Sequence, residues 1–421
     1  MAELIREPPR RVAVLSKKPL TTHRYDRWLS EFGIRTTLFA EDTPSSRTFL
    51  AGTHQYSTAH LFPDWKRNRA IDQAVIVAHA EQPFDRIVAL SECDLVRAAE
   101  LRAYLDISGQ SLASATAFRN KSVMKSLAGR AELRVPDHEF VDSVSTLMDF
   151  ADSHPDGVVV KPVDGSGSVG VIELHDRAEI ESWVHARALS CDDPADYLVE
   201  ERVAAPMLSV DGLMRAGQVQ AVMVGTYTRT CLHSLVELAP HGILLLDADD
   251  PRVAAARDYL TRLLRALPAP EETMSFHCEL FDHPRHGPML CEIACRTGGG
   301  NLNQIAREAL GIDLEQASCL GQAGIDVPVE RTMPESGRCF GDIVVPRSPR
   351  SIPAGLRCDL PGVLHLRSHR DDRPGRAAKV SDYVVDALLT GDDHIGVRRV
   401  YDSVIAWLDE HLPAESAKGR C

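Results

Sequence analysis

Short apolar runs separated by stretches of helical period fill the first quarter of the chain. Residues 11–15 (RVAVL), 35–39 (RTTLF) and 86–90 (RIVAL) predict buried strands, with helical spacing between them, as around Arg67–Ala80. Strands alternating with helices predict an open, mostly parallel sheet over about the first 110 residues. The third strand runs into Ser91, Glu92, Cys93 and Asp94, then a helix that reaches about Tyr104. In such sheets ligands gather beyond the carboxyl ends of strands, so Glu92 is a candidate contact; a charge at a helix N-terminus is the plainer reading.

The segment ATAFRNKSVMKSLAGRAELRVPDHEFV predicts a helix that ends near Gly129 and then approaches a strand. Lys121 and Lys125 lie four apart and share a face, which a solvated basic face would equally explain. VVVKP (158–162) is an apolar strand with a single cation, Lys161, uncommon unless the ammonium reaches a partner. Gly165, Ser166, Gly167 and Ser168 follow in a loop that can lay backbone amides over phosphates, before a strand VIEL. No Gly-Lys-Ser/Thr follows at the spacing of a P-loop. Tyr197–Val203 (YLVEERV) predicts a strand ending in paired acids. Leu208–Met214 and Gln218–Tyr227 predict a hairpin, with a further turn at Asp211–Gly212. Thr228–His241 reads as a loop carrying His233, Glu237 and His241, whose bland reading is solvation. Pro251–Leu267 is an amphipathic helix, and 301–323 has helical spacing. From about Pro334 short strands (CFGDIVVP, GVLHLRS) lead to an amphipathic helix, VRRVYDSVIAWLDEHL, and a polar tail.

The most informative stretch is Met274–Asn301, MSFHCELFDHPRHGPMLCEIACRTGGGN. It predicts strands over Met274–Phe281 and Pro288–Cys295 around a turn near Arg285 and His286. That turn sets Glu279 opposite Glu292. One face then carries His277, Glu279, Glu292, Ala294 and Arg296; the other carries Phe276, Cys278, Leu280, Cys291, Ile293 and Cys295 as a core face. Opposed like charges destabilise a sheet, so the pair asks for a bridging cation with a taste for oxygen, such as Mg²⁺. The alternative is a solvated face on which Arg296 balances both acids. Gly298, Gly299 and Gly300 directly after Arg296 let backbone N–H groups approach an anion.

Composition narrows the choice of partner. Hydrophobic residues make up 44% and charged residues 25% of 421 residues, ordinary for a globular protein of two to four domains. With 47 Lys and Arg against 60 Asp and Glu, the net charge of −13 argues against a general nucleic-acid or anionic-membrane binder. The N-terminal apolar run is short for a signal peptide and no window approaches a membrane span. Ten scattered cysteines without a CxxC pair predict free thiols in a reducing cytoplasm.

Taken in order, Lys121, Lys161 with its Gly/Ser loop, LVEERV, CELF and CEIACRTGGG resemble the ATP-grasp ligases over nearly the whole chain. Within that superfamily the loop at 228–241 and the C-terminal region are most similar to L-amino-acid ligases, which condense a carboxylate with an amine and release ADP and phosphate. The resemblance implies an α/β architecture. Residues 1–112 would form a Rossmann-like domain, 113–204 a first ATP-grasp subdomain with a lid at about 130–200, 205–330 a second subdomain with the metal and substrate site, and 331–421 an accessory domain. It implies ATP and one or two Mg²⁺ ions (Mn²⁺ as substitute) as cofactors. The partners would be small amino-acid, carboxylate and amine substrates, with a homodimer as the family's guess. Glu279 and Glu292 would hold metal. Lys121, Lys161, Gly165–Ser168, Glu200, Glu201 and Val203 would bind ATP, the last by backbone contact with adenine. Arg296 and Gly299 would be catalytic, and Glu92, Glu237, His241, Arg296, Gly298 and Gly300 would bind substrate. Two departures stand out. Ala294 occupies the position of the family's usual Asn metal ligand. Ala204–Met207 lacks the usual acidic ribose contact, leaving Glu200 or Asp211 for that task. A biotin-carboxylase-like or nucleotide-precursor carboxylating enzyme, and an idle ATP-binding regulatory protein, are the rival readings.

Overall fold

The computed structural model describes residues 10–188, 196–348, 352–353, 355–369 and 376–412. The basic amino-terminal segment and the polar tail lie outside the described residues.

The first sheet holds β1 (Arg11–Ser16), β2 (Arg35–Glu41), β3 (Thr58–Phe62) and β4 (Arg86–Ala89), all parallel, in the order β3-β2-β1-β4. The expected strands are there, and β3 joins them as a half-exposed edge strand whose weak apolar pattern hid it. The order reverses between β1 and β4, which puts the residues after β4, Glu92 among them, at the point where α/β sheets open a crevice.

The second sheet holds β5 (His138–Val141), β6 (Val158–Pro162), β7 (Ile172–Leu174) and β8 (Tyr197–Glu201), in the order β5-β8-β6-β7 and antiparallel throughout. The third holds β9 (Met207–Arg215), β10 (Gln218–Tyr227), β11 (Ile243–Leu245), β12 (Met274–His283), β13 (Gly287–Ala294), β14 (Cys339–Pro346), β15 (Val363–Ser368) and β16 (Tyr383–Gly391). Its order is β13-β12-β9-β10-β11-β14-β16-β15, so the strands from 339 onward continue the sheet that the central hairpin begins.

One face of the third sheet is apolar. Leu208, Val210, Phe276, Cys278, Leu280, Leu290 and Ile293 pack against Met124 and Ala128 of the helix Lys121–Arg130 and Leu260 and Leu263 of the helix Pro251–Ala266. Because side chains alternate, the opposite face receives Ser209, Asp211, His277, Glu279 and Glu292.

Four local expectations change. A bulge shifts the register between Glu279 and Leu280, pairing Leu280 with Leu290. Cys291 is the extra residue, so Leu290 takes the core place expected for Cys291, which is half-buried. Asp211–Gly212 is mid-strand rather than a turn: a Cβ on Gly212 would lie 1.9 Å from the Ala221 carbonyl oxygen, so the glycine permits a close backbone approach. Thr228–His241 contains a two-turn helix, Cys231–Glu237, whose N-cap Thr230 accepts the His233 N–H. Residues 301–323 form two helices, Leu302–Leu310 and Leu314–Gln322, divided by Gly311 at φ 70° and by Asp313, which caps the second.

The helix Leu314–Gln322 ties the first sheet to the rest. Gln322 donates to the carbonyl of Ala89 and accepts its N–H, both at 3.0 Å, as a further strand would. Glu315 meets His23 Nε2 at 2.8 Å and Lys18 Nζ at 3.3 Å. Burial alone would raise the Glu315 pKa, but His23 and Lys18 more than offset it and hold it at about 2, below its ordinary 4.5. A carboxyl depressed by folding stabilises the fold above its unfolded pKa, and that contribution disappears as pH falls through the folded value. Urea unfolding midpoints should therefore decline from about pH 4.5 towards about pH 2 less steeply in Glu315→Gln than in the wild type. Parallel profiles would contradict the assignment. The described cysteines are free thiols, and among the described residues no helix is long and apolar enough to cross a membrane.

Candidate active site

Glu279 and Glu292 are direct cross-strand partners, as the turn position required. Glu292 receives Lys121 Nζ at 2.9 Å. Burial would raise the Glu292 pKa, yet Lys121, then Lys161 and Arg296, hold the carboxyl down to about 2. Glu279 accepts the Tyr227 hydroxyl at 2.7 Å through Oε1, and His277 Nε2 lies 3.6 Å from the same oxygen. The pair offers carboxylate oxygens, the donors Mg²⁺ takes, and an ammonium already rests on one of them, so the residues present fit such an ion.

Behind this pair, Lys161 of β6 meets Glu200 of β8 at 2.7 Å, and Lys125 meets the same carboxylate at 3.2 Å and the Leu290 carbonyl at 3.0 Å. All three side chains are buried. Burial works against each charge and dominates at Lys125, whose pKa falls. For Glu200 and Lys161 the mutual attraction wins, lowering the acid and raising the amine. Glu200 is thus closed on two lysines, one at each carboxylate oxygen. Asp211 is equally engaged, with His277 Nδ1 at 2.8 Å and with the Ser209 hydroxyl. Glu201 turns the other way and accepts the Asp137 N–H at 3.1 Å. Val203 is half-buried just past the end of β8.

The loop after β6 lies over the lysines. Lys121 Nζ donates to the Gly165 carbonyl at 2.9 Å, and Arg119 donates to the carbonyls of Asp164 and Gly165. Gly167, Ser168 and Gly170 have φ of 64°, 59° and 76°, left-handed backbone that glycine adopts freely and that Ser168 adopts at a steric cost. The Gly167 carbonyl accepts the Val380 N–H at 3.3 Å, so the C-terminal region touches the loop tip.

Arg296 meets Glu92 through Nη2 at 2.8 Å and Nε at 2.9 Å, and donates from Nη1 to the Thr297 carbonyl at 3.2 Å. Arg119 grips the other oxygen of Glu92. Burial would raise Glu92, but the two guanidiniums hold it below the usual carboxylate range. Glu92 accordingly anchors Arg296 instead of standing free for a substrate ammonium. Gly298 packs where a Cβ would meet His277 Nδ1 at 2.8 Å and Asp211 Oδ1 at 3.0 Å. Gly299 is open around its Cα, and Gly300, at φ 62°, precedes Asn301, whose N–H donates to Asp342 at 3.0 Å.

The residues of 228–241 are engaged with neighbouring groups of the protein. His241 is buried, bonded to the Ser234 hydroxyl at 2.7 Å, and pushed down to about 4 by burial and then by Arg229. Its Nδ1 is taken up inside the protein by the helix that carries Ser234. Glu237 is half-exposed and paired with Arg229. Sequence reasoning missed Arg119, Tyr227 and the Asp211–His277 couple, and left Lys125 as a solvated face although its spacing from Lys121 was visible.

No protein-family model matches the chain. An L-arginine-specific L-amino acid ligase of Bacillus subtilis is 23% identical over 239 residues, which are 56% of this chain and 57% of that protein. The match thus spans little more than half of that relative's length. The structure of an L-amino acid ligase from Bacillus licheniformis superposes with a TM-score of 0.71 at 19% identity, covering 96% of this chain and 98% of that one. A carboxyaminoimidazole ribonucleotide synthase from Aspergillus clavatus, complexed with ATP, gives 0.71 at 13% identity, covering 96% and 99%. These likenesses show the ATP-grasp fold.

Proposed function

We propose that the chain is an ATP- and Mg²⁺-dependent carboxylate–amine ligase that joins an amino-acid carboxylate to an amine. The observation that carries this is the opposed pair Glu279 and Glu292, with Lys121 on Glu292 and the Gly165–Ser168 loop closed on Lys121. The ligases among the similar proteins support the substrate class. On this reading residues 113–204 hold nucleotide, 205–330 hold cation and substrate, and 1–112 and 331–421 wall the crevice.

When bound between Glu279 and Glu292, Mg²⁺ would neutralise phosphate charge. The substrate carboxylate oxygen attacks the γ-phosphorus, the bond to the β-phosphate oxygen breaks, and ADP leaves an acyl phosphate. The amine nitrogen then attacks the acyl carbon, loses a proton and expels phosphate. Such transfer needs alignment and charge neutralisation more than acid–base chemistry. Lys121 and Lys161 supply positive charge to the phosphates, the glycine loop excludes water that would hydrolyse the intermediate, and the Gly298–Gly300 backbone lies ready for the oxyanion.

Arg296 spends three of its five N–H donors on Glu92 and Thr297, leaving two for a carboxylate or phosphoryl oxygen. Arg296→Lys should lower turnover by roughly a hundredfold, in the range of a lost transition-state donor, with ATP affinity nearly unchanged. Equal losses in turnover and ATP binding would contradict this role.

The deciding experiment supplies ATP, Mg²⁺ and pairs of amino acids, and follows phosphate release and product mass. An amide product from one pair is expected. ADP release that requires bicarbonate instead would favour a carboxylating enzyme, a reading supported by the equal superposition on the carboxyaminoimidazole ribonucleotide synthase. Nucleotide binding without substrate-stimulated ADP release would favour an idle binding protein.

A further inference from the structure

His277 occupies an unusual place beside the acidic pair. It is the register partner of Ala294, two residues from Glu279 along β12, and it is buried. Its Nδ1–H donates to Asp211 Oδ1 at 2.8 Å, and Asp211 is itself held by the Ser209 hydroxyl. Gly298 closes the third side, so close that a Cβ there would collide with the imidazole. With Nδ1 committed to Asp211, the ring turns Nε2 towards Glu279 Oε1, 3.6 Å away. Tyr227 donates to that same oxygen at 2.7 Å. Tyr227 therefore holds this oxygen by a hydrogen bond with the imidazole standing beside it, which leaves the other oxygen of Glu279 for a cation.

Ala294 faces the imidazole across the strand pair with only a methyl group, and directly opposed residues, with Cβ atoms about 4.5–5.5 Å apart, are in reach of each other. Groups that orient a ligating side chain from behind govern metal affinity, and removing one costs about 10–100-fold.

We propose that His277 is a positioning residue of the cation site. Fixed by Asp211 and given room by Ala294, it orients Glu279 and supplies from β12 the polar group that a larger residue at position 294 would supply from β13. The inference rests on the reading of Glu279 and Glu292 as the cation pair.

The test is Mn²⁺ binding in the presence of ADP, followed by electron paramagnetic resonance on the full chain. It compares the wild type, His277→Ala, His277→Gln, Ala294→Asn, the double variant His277→Ala/Ala294→Asn, and Glu292→Ala as control. ADP affinity without metal and the melting temperature are measured alongside. His277→Ala should loosen Mn²⁺ by about tenfold or more, with metal-free ADP affinity retained. His277→Gln, which keeps a polar group near the Nε2 position, should lose less. Ala294→Asn should also loosen Mn²⁺, and the double variant should recover most of the loss. Wild-type Mn²⁺ affinity in His277→Ala, or an equal drop in metal-free ADP affinity, would overturn the proposal, as would a double variant no better than His277→Ala. Mn²⁺ binding that ignores Glu292→Ala would instead overturn the cation pair itself, and this proposal with it.

Discussion

Glu292→Ala is expected to reduce ATP turnover by about 10³-fold or more while leaving a cooperative unfolding transition. Glu292 is half of the opposed pair, and Lys121 reaches it at 2.9 Å while also bonding the Gly165 carbonyl. On the proposed reading, one carboxylate would then remain to draw a cation, and Lys121 would lose the contact that fixes its ammonium. In phosphoryl transfer those two functions, charge neutralisation and alignment, make up nearly all of what the protein contributes. The fold should tolerate the change, because relieving two like charges across a strand pair offsets part of the lost Lys121 contact. Coupled ADP release and thermal melting check both halves. Normal turnover in this variant would mean that the acidic pair is not where the chemistry occurs.

Glu200→Ala should have the larger effect on stability, about 3–5 kcal/mol, the usual cost of removing one partner of a buried ion pair. Its carboxylate lies between Lys161 at 2.7 Å and Lys125 at 3.2 Å, with all three groups buried. Truncation leaves two ammonium groups together without a counter-charge, and Lys125, already lowered by burial, becomes harder still to keep protonated. Glu200→Gln should fall between wild type and alanine, since it keeps the shape and loses the charge. Urea unfolding with an unchanged slope reads the effect directly. A variant of wild-type stability that binds ATP weakly would instead favour Glu200 as a nucleotide contact.

The acidic pair was legible because a strand period of two and a turn of known position together set a register. The bulge at Cys291 was not, because one extra residue in one strand leaves the alternation on either side intact. Lys161 announced itself as a cation in an apolar run. Lys125 did not: a basic residue one turn from Lys121 looks the same whether water or a sheet covers that face. Glu92 and Arg296 lie 204 residues apart, and no local pattern encodes which cation will reach which acid. His241 and Glu237 were legible as polar groups in a candidate loop, but a short capped helix buries one and pairs the other with Arg229.

Lys121 holds a carbonyl of the glycine loop and a carboxylate of the acidic pair with one ammonium group. Two of its three N–H donors are thereby used, and on the proposed reading a polyphosphate drawn to this ammonium would compete with both the loop carbonyl at Gly165 and the carboxylate of Glu292. On that reading the affinities for nucleotide and ion would be linked through a single side chain, each weakening the hold of Lys121 on the other's partner.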